Sequence, residues 1–167
     1  NRERIDSYIG SLTNYYYLKN YDSVHFYSSQ INSFDKISFN NRNKINLLSA
    51  KSFLDSGDIT KGIDKLLATI NLVNDESAAE ANYLLAKVFY SQSQKNQALE
   101  TLYALNENFS NYDYWVGKSY LLIADIFISM NEGFQANATL ESLIDNTDID
   151  EIRIKALELK NNIDLNE

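Results

Sequence analysis

Between Asn82 and Leu143 one pattern is written twice: Leu85-Ala86, Phe89, Ala98, Leu102 and Leu105, then Ile123-Ala124, Phe127, Ala136, Leu140 and Leu143. Every position of the first set recurs in the second at an offset of 38 residues. A period of that length is the length of a two-helix unit. Within each half the spacing is helical, so that Leu85, Ala86 and Phe89 share one face and Ala98, Leu102 and Leu105 share the next. The alanines carry the most information. Ala86 and Ala98 stand where two helices of a hairpin would cross, and a larger side chain there would push the backbones apart.

Upstream the same register continues. Ala50, Phe53, Gly62 and Leu66 precede Ala86, Phe89, Ala98 and Leu102 by 36 residues, and Leu12, Tyr15 and Val24 precede Ala50, Phe53 and Gly62 by 38. The first copy is the most degenerate, because Leu12 and Val24 occupy the small-residue positions, as expected of a terminal or splayed hairpin. The turns also align. Gly57 sits between the second pair of helices, where a left-handed residue ends one helix and Asp58 can cap the next. Its counterparts are Lys19, Ser93 and Asn131, of which asparagine tolerates that conformation best.

The pattern predicts hairpins over about 5–33, 41–73, 77–109 and 112–146, with 33–40 as a polar connection. Ser77 and Glu80 read as a capping box at the start of the third hairpin, and Asp148 with Glu151 as another. The latter opens a terminal helix over 148–163, whose apolar face is Ile152, Ala156 and Leu159. That helix covers the last hairpin and ends the stack. The chain is thus expected to be one all-α domain, a right-handed alpha-alpha solenoid of four hairpins plus a C-terminal capping helix.

This order of small, aromatic, small and large residues resembles the tetratricopeptide repeat (TPR) family. The departures are Asn82 and Tyr120 where the family has Trp, and the absence of proline from the whole chain. The last third, Tyr114-Trp115-Val116-Gly117-Lys118-Ser119, Ala124-Asp125-Ile126 and Phe134 to Leu143, resembles the C-terminal end of long TPR proteins of the Bacteroidota cell envelope. That resemblance implies a periplasmic or membrane-associated adaptor rather than an activity; a cytoplasmic setting is the alternative. The opening on Asn1 rather than Met is read as the start of an excised piece of a longer or processed protein.

Composition agrees with a folded chain: 167 residues, 44% hydrophobic and 23% charged, enough to bury most of the surface that the unfolded form exposes. A formal charge of −8 argues against nucleic acid, whose binding rests on Lys and Arg neutralising phosphates, and against an anionic membrane surface. No apolar run approaches the roughly 20 residues of a spanning helix. Without cysteine there are no disulfides and no thiolate zinc site. His25, the single histidine, has no second ligand or nucleophile to work with. Asp145, Asp148 and Asp150 cluster near a loop but lack EF-hand spacing, so capping and solvation explain them. No glycine-rich phosphate loop occurs. The expectation is a protein without catalysis, cofactor or metal.

The twelve tyrosines and eight phenylalanines either fill gaps between helices or line a groove, and filling is the commoner role. Resemblance to TPR arrays implies a scaffold that holds a protein or peptide partner against its first helices. The inner-wall positions so implied are Tyr16, Lys44, Lys51, Tyr83, Lys87, Tyr90, Lys118 and Asp125. Four lysines beside flat aromatic faces suit an acidic or carboxylate-bearing peptide. Solvated lysines on exposed helix faces are the competing explanation. Two other functions stay open, a segment that docks onto the rest of its own chain and, less favoured by charge, an RNA-binding helical repeat.

If the register is right, Ala86→Leu and Ala124→Leu should each destabilise the fold by about 1 to 3 kcal/mol through overpacking, while Asn96→Leu does little. Urea unfolding of the three variants checks this; equal midpoints would show the register to be wrong.

Overall fold

The computed structural model describes residues 2–32 and 36–164; Ser33 to Asp35, within the predicted polar connection, lie outside them. Nine α-helices occur among the described residues, and no strand. They are α1 (Arg2–Tyr17), α2 (Tyr21–Asn32), α3 (Phe39–Asp55), α4 (Ile59–Ile70), α5 (Glu76–Ser91), α6 (Lys95–Asn108), α7 (Asp113–Ser129), α8 (Gly133–Asn146) and α9 (Asp150–Asp164). The chain divides into two compact units, Asn1–Ala81 and Asn82–Glu167, and the boundary falls inside α5.

Each hairpin turn is made by one residue. Lys19, Gly57, Ser93 and Asn131 have φ of 56, 88, 62 and 60°, the left-handed region expected from their alignment. The same pair of hydrogen bonds closes each turn. In the first, Lys19 N donates to Tyr16 O and Asn20 N to Tyr15 O; in the third, Ser93 N donates to Tyr90 O and Gln94 N to Phe89 O, all at 2.9 Å. Gly57 and Asn131, with the residues that follow them, repeat it onto Leu54 and Phe53 and onto Ile128 and Phe127. These are Schellman closures, which satisfy carbonyls that the helix end would otherwise leave unpaired. A non-glycine residue in this region costs roughly 1–2 kcal/mol, and two hydrogen bonds of about 0.5–1.5 kcal/mol each offset it.

The residue after the turn caps the next helix, and side-chain length decides how well. Asn20 Oδ1 accepts from Ser23 N at 3.2 Å and Asp58 Oδ1 from Lys61 N at 3.2 Å. Gln94 and Glu132 hold the equivalent positions and make no side-chain cap. One extra methylene carries their oxygens past the amides that need them.

Small residues lie at the crossings. Ala50 and Gly62, Ala86 and Ala98, and Ala124 and Ala136 are all buried. A Cβ on Gly62 would lie 2.7 Å from Leu54 Cγ and run into Leu54 Cδ2. Accordingly α3 and α4 share more extensive contact than α1 with α2, where Leu12 and Val24 occupy the crossing, although both of those are fully buried as well. In the first unit Leu12, Val24, Ile31 and Ile45 form one core. In the second, Ala86, Ala98, Leu102, Ile123 and Ile126 form one cluster and Ala124, Ala136, Leu140, Ile152 and Ala156 another. Thus α9 packs through Ile152 and Ala156, with Ile152 Cγ2 3.0 Å from where a Cβ on Gly117 would stand.

Two capping expectations are overturned. Helix α5 begins at Glu76 and is capped by Asp75, whose Oδ1 accepts from Ala78 N at 3.0 Å and from Asn43 Nδ2 at 2.9 Å. Asn40 Nδ2 reaches the other oxygen at 3.2 Å. Asp75 is short, precedes the helix directly and is buried among donors, so it wins over Ser77. Helix α9 begins at Asp150, where Thr147 Oγ1 accepts from Ile149 N at 3.2 Å and Glu151 turns outward to Lys155.

Supplying the missing caps should stabilise the fold. Gln94→Asn and Glu132→Asp are each expected to add about 0.5–1 kcal/mol, and Ser93→Gly to add a similar amount by relieving the left-handed residue. Gly57→Ala should cost at least as much as these gain. Urea midpoints at constant m-value are the measurement.

Candidate functional site

The implied inner-wall residues fall into a group in each unit. In the first unit, Tyr16 on α1 donates from its hydroxyl to Asp55 Oδ2 of α3 at 2.7 Å. Burial first, then this bond, push the Tyr16 hydroxyl well above the usual phenol range, so it remains a donor at any ordinary pH. Lys51 Nζ stands 5.4 Å from the centre of the Tyr16 ring and 2.9 Å from Glu80 Oε1. Lys44, seven residues before Lys51 on the same face of α3, is exposed. Both acids escape the sequence pattern. Asp55 carries no signal there, and Glu80 reads as part of a cap; together they offset the positive character expected of this surface.

The second unit holds the more developed site. A cleft of about 440 Å³ is lined by Tyr83 of α5, by Lys118, Leu121 and Leu122 of α7, and by Lys155, Glu158, Leu159 and Asn162 of α9. Every lining residue comes from a first helix of a hairpin or from α9; α6 and α8 contribute none. Lys118 Nζ lies 5.0 Å from the ring centre of Tyr83 and 5.3 Å from those of Tyr114 and Trp115. Lys87 Nζ approaches Tyr83 from the next turn of its own helix at 6.0 Å. At half-exposed positions each such contact contributes about 0.5–1 kcal/mol. Burial raises the Tyr83 hydroxyl above its ordinary value, and the neighbouring Tyr114 and Asp125 add to the shift.

Of the implied residues in this unit, Tyr83 and Lys118 line the cleft itself. Lys87 and Asp125 act on Tyr83 from beside it, and Tyr90 is spent on packing against the core that Ala86 and Ala98 centre. Tyr114, Trp115 and the α9 side chains are additions that the repeat pattern does not supply. The first two could have been found, since they precede Lys118 by four and three residues on one helix and must neighbour it. The α9 wall could not, because α9 reads only as a cover for the last hairpin.

A second cleft of about 400 Å³ brings Asp113, Gly117 and Tyr120 of α7 together with Asn146, Asp148 and Ile149. Among the described residues no group of three or more His, Cys, Asp or Glu side chains could hold a metal ion. His25 stacks on Phe53 with ring centres 3.8 Å apart, and its Nε2 is 2.7 Å from Ser52 Oγ. Ser52 Oγ also lies 2.9 Å from Ser49 O, so its single proton serves one of these two acceptors.

The fold on which these residues sit is a TPR-like helical repeat, all α. No family profile and no curated protein matches the sequence. Solved structures match the fold. One is the crystal structure of nearly identical TPR-like repeats of a Podosopora anserina protein described as a putative kinesin light chain: TM-score 0.69, 13% identity, covering 98% of this chain and 86% of that one. A form of the same repeats with one residue substituted gives TM-score 0.69 at 12% identity over 96% and 84%. At that identity the likeness is one of fold. Among the described residues no helix is long and apolar enough to cross a membrane.

Burial holds the His25 imidazole below its ordinary value; Asp22 and Asp58 oppose the shift, while Lys61 and Lys65 add to it. A lowered folded-state pKa means that the unfolded chain takes up the proton first. The stability His25 contributes is therefore complete above about pH 6.5 and is lost as pH falls through that value toward the lower folded one. His25→Gln should flatten the fall in urea midpoint between about pH 7 and pH 5; an unchanged slope would place the titration elsewhere.

Proposed function

We propose that the chain is a non-catalytic interaction module and that its second unit holds an acidic peptide in the cleft between α5, α7 and α9. The observation that carries this is the lining: one cleft, made by first helices and α9 alone, with an ammonium at its wall and Leu121, Leu122 and Leu159 for apolar side chains. Lys155 is already paired to Glu151 at 2.5 Å, and Glu158 brings a negative charge of its own. Lys118 is held by aromatic rings, which orient its charge without cancelling it, and Lys87 adds a second beside Tyr83. A partner carboxylate complements them, and the chain's net charge of −8 repels other acidic chains at long range. The resemblance of residues 114–143 to cell-envelope repeat proteins supports a periplasmic setting, which fractionation of source cells tests.

A second reading, docking onto another part of the protein to which the chain belongs, is favoured by the first unit. Tyr17, Leu18 and Phe26 are 77, 75 and 58% exposed there, an unusual display for large apolar side chains.

Selection from a displayed peptide library, followed by anisotropy titration, tests the first reading. Peptides rich in Asp and Glu should be recovered, should bind more weakly as salt rises, and should lose at least tenfold in affinity to a folded Lys87→Glu/Lys118→Glu variant. Recovery of no peptide, or of peptides that the variant binds equally well, would remove the cleft from consideration.

A further inference from the structure

Three rings enclose the Lys118 ammonium, and two of them are there by helix geometry alone. Tyr114 and Trp115 precede Lys118 by four and three residues, and a long helical side chain lies back over that face. The third, Tyr83, comes from a different helix and closes the enclosure. Its ring centre is 5.7 Å from that of Trp115, which in turn meets Tyr114 edge-on at 5.2 Å. The resulting distances of 5.0 to 5.3 Å from nitrogen to ring centres are those at which an aromatic face attracts a cation. Tyr83 and Lys118 also line the 440 Å³ cleft, so the enclosure meets the cleft on that side, with Tyr114 and Trp115 behind the ammonium.

We propose that Tyr83, Tyr114 and Trp115 form a cage for a methylated ammonium group, filled in the free protein by Lys118 and given up to such a group when one enters the cleft. A primary ammonium is compact and strongly hydrated, with three donors that the rings leave unsatisfied. A quaternary ammonium has no donors to satisfy and sheds water at lower cost, so it is the better occupant of the same space. The displaced Lys118 stays in the cleft, where Glu158 supplies a carboxylate. This goes beyond a site for acidic peptides, because loss of Lys118 weakens binding of an acid and strengthens binding of a cation.

The single tryptophan, Trp115, is the reporter. Tetramethylammonium chloride is titrated into the wild-type chain, Lys118→Ala and Lys118→Ser, at constant ionic strength against sodium chloride, with circular dichroism to confirm helix content. A saturable fluorescence change is expected, at a midpoint at least tenfold lower in either variant than in wild type, and lost in Lys118→Ala/Tyr83→Ala. Choline and a trimethyl-lysine peptide, titrated in parallel, should saturate the same signal, and the tighter of the two names the source of the group. No saturable change in the folded Lys118 variants, or a wild-type midpoint equal to theirs, would overturn the proposal.

Discussion

A helical hairpin has to reverse the chain between two helices without leaving the backbone groups at their ends unpaired. Here one left-handed residue does this four times, closed each time by the same two hydrogen bonds, one of them to the carbonyl of an aromatic residue at the repeat's aromatic position. Such a short turn starts the paired helices close together, and in three of the four hairpins the crossing is built from small side chains. Gly62, whose missing Cβ would collide with Leu54, shows how little room remains. The turn does not by itself dictate the crossing: alanine or glycine there lets the helices of the last three hairpins approach closely, whereas the first closes the same turn around Leu12 and Val24.

The four turns meet this constraint with unequal chemistry. Gly57 and Asp58 satisfy both demands, conformational freedom at the turn and a carboxylate of the right length to cap the next helix. Ser93 with Gln94 satisfies neither well, since the serine is strained and the glutamine does not reach. That the hairpin of α5 and α6 forms regardless reflects burial of Ala86, Ala98 and Leu102 in its core, a larger contribution than a cap of about 1 kcal/mol.

The two groups of lysines and aromatic residues show how charge follows tertiary neighbours rather than local sequence. Lys51 and Lys118 look alike as isolated lysines on first helices. Lys51 meets Glu80 and Tyr16, so its charge is neutralised inside the protein. Lys118 meets three rings, which hold its ammonium in place, and from there it helps Lys155 to hold the Glu151 carboxyl below its ordinary value. The same residue type thus meets a carboxylate in one unit and aromatic faces in the other.

The register of the repeat, the four left-handed turns and the buried small residues were all legible in the sequence, because each depends on contacts within about 40 residues that recur at a fixed offset. Tyr83 and Lys118 were named from the resemblance to repeat arrays, and the structure brings both to one cleft. The charge partners were not: Asp55 reaches Tyr16 and Glu80 reaches Lys51 across different helices, and no periodicity announces an acid at such a distance. Nor was the cap at Asp75, which owes its advantage over Ser77 to Asn40 and Asn43 on α3. The cleft needed tertiary structure most of all. Helix α9 lies outside the hairpin pattern, and it becomes a wall of the cleft only because packing through Ile152 and Ala156 sets it beside Lys118 and Tyr83.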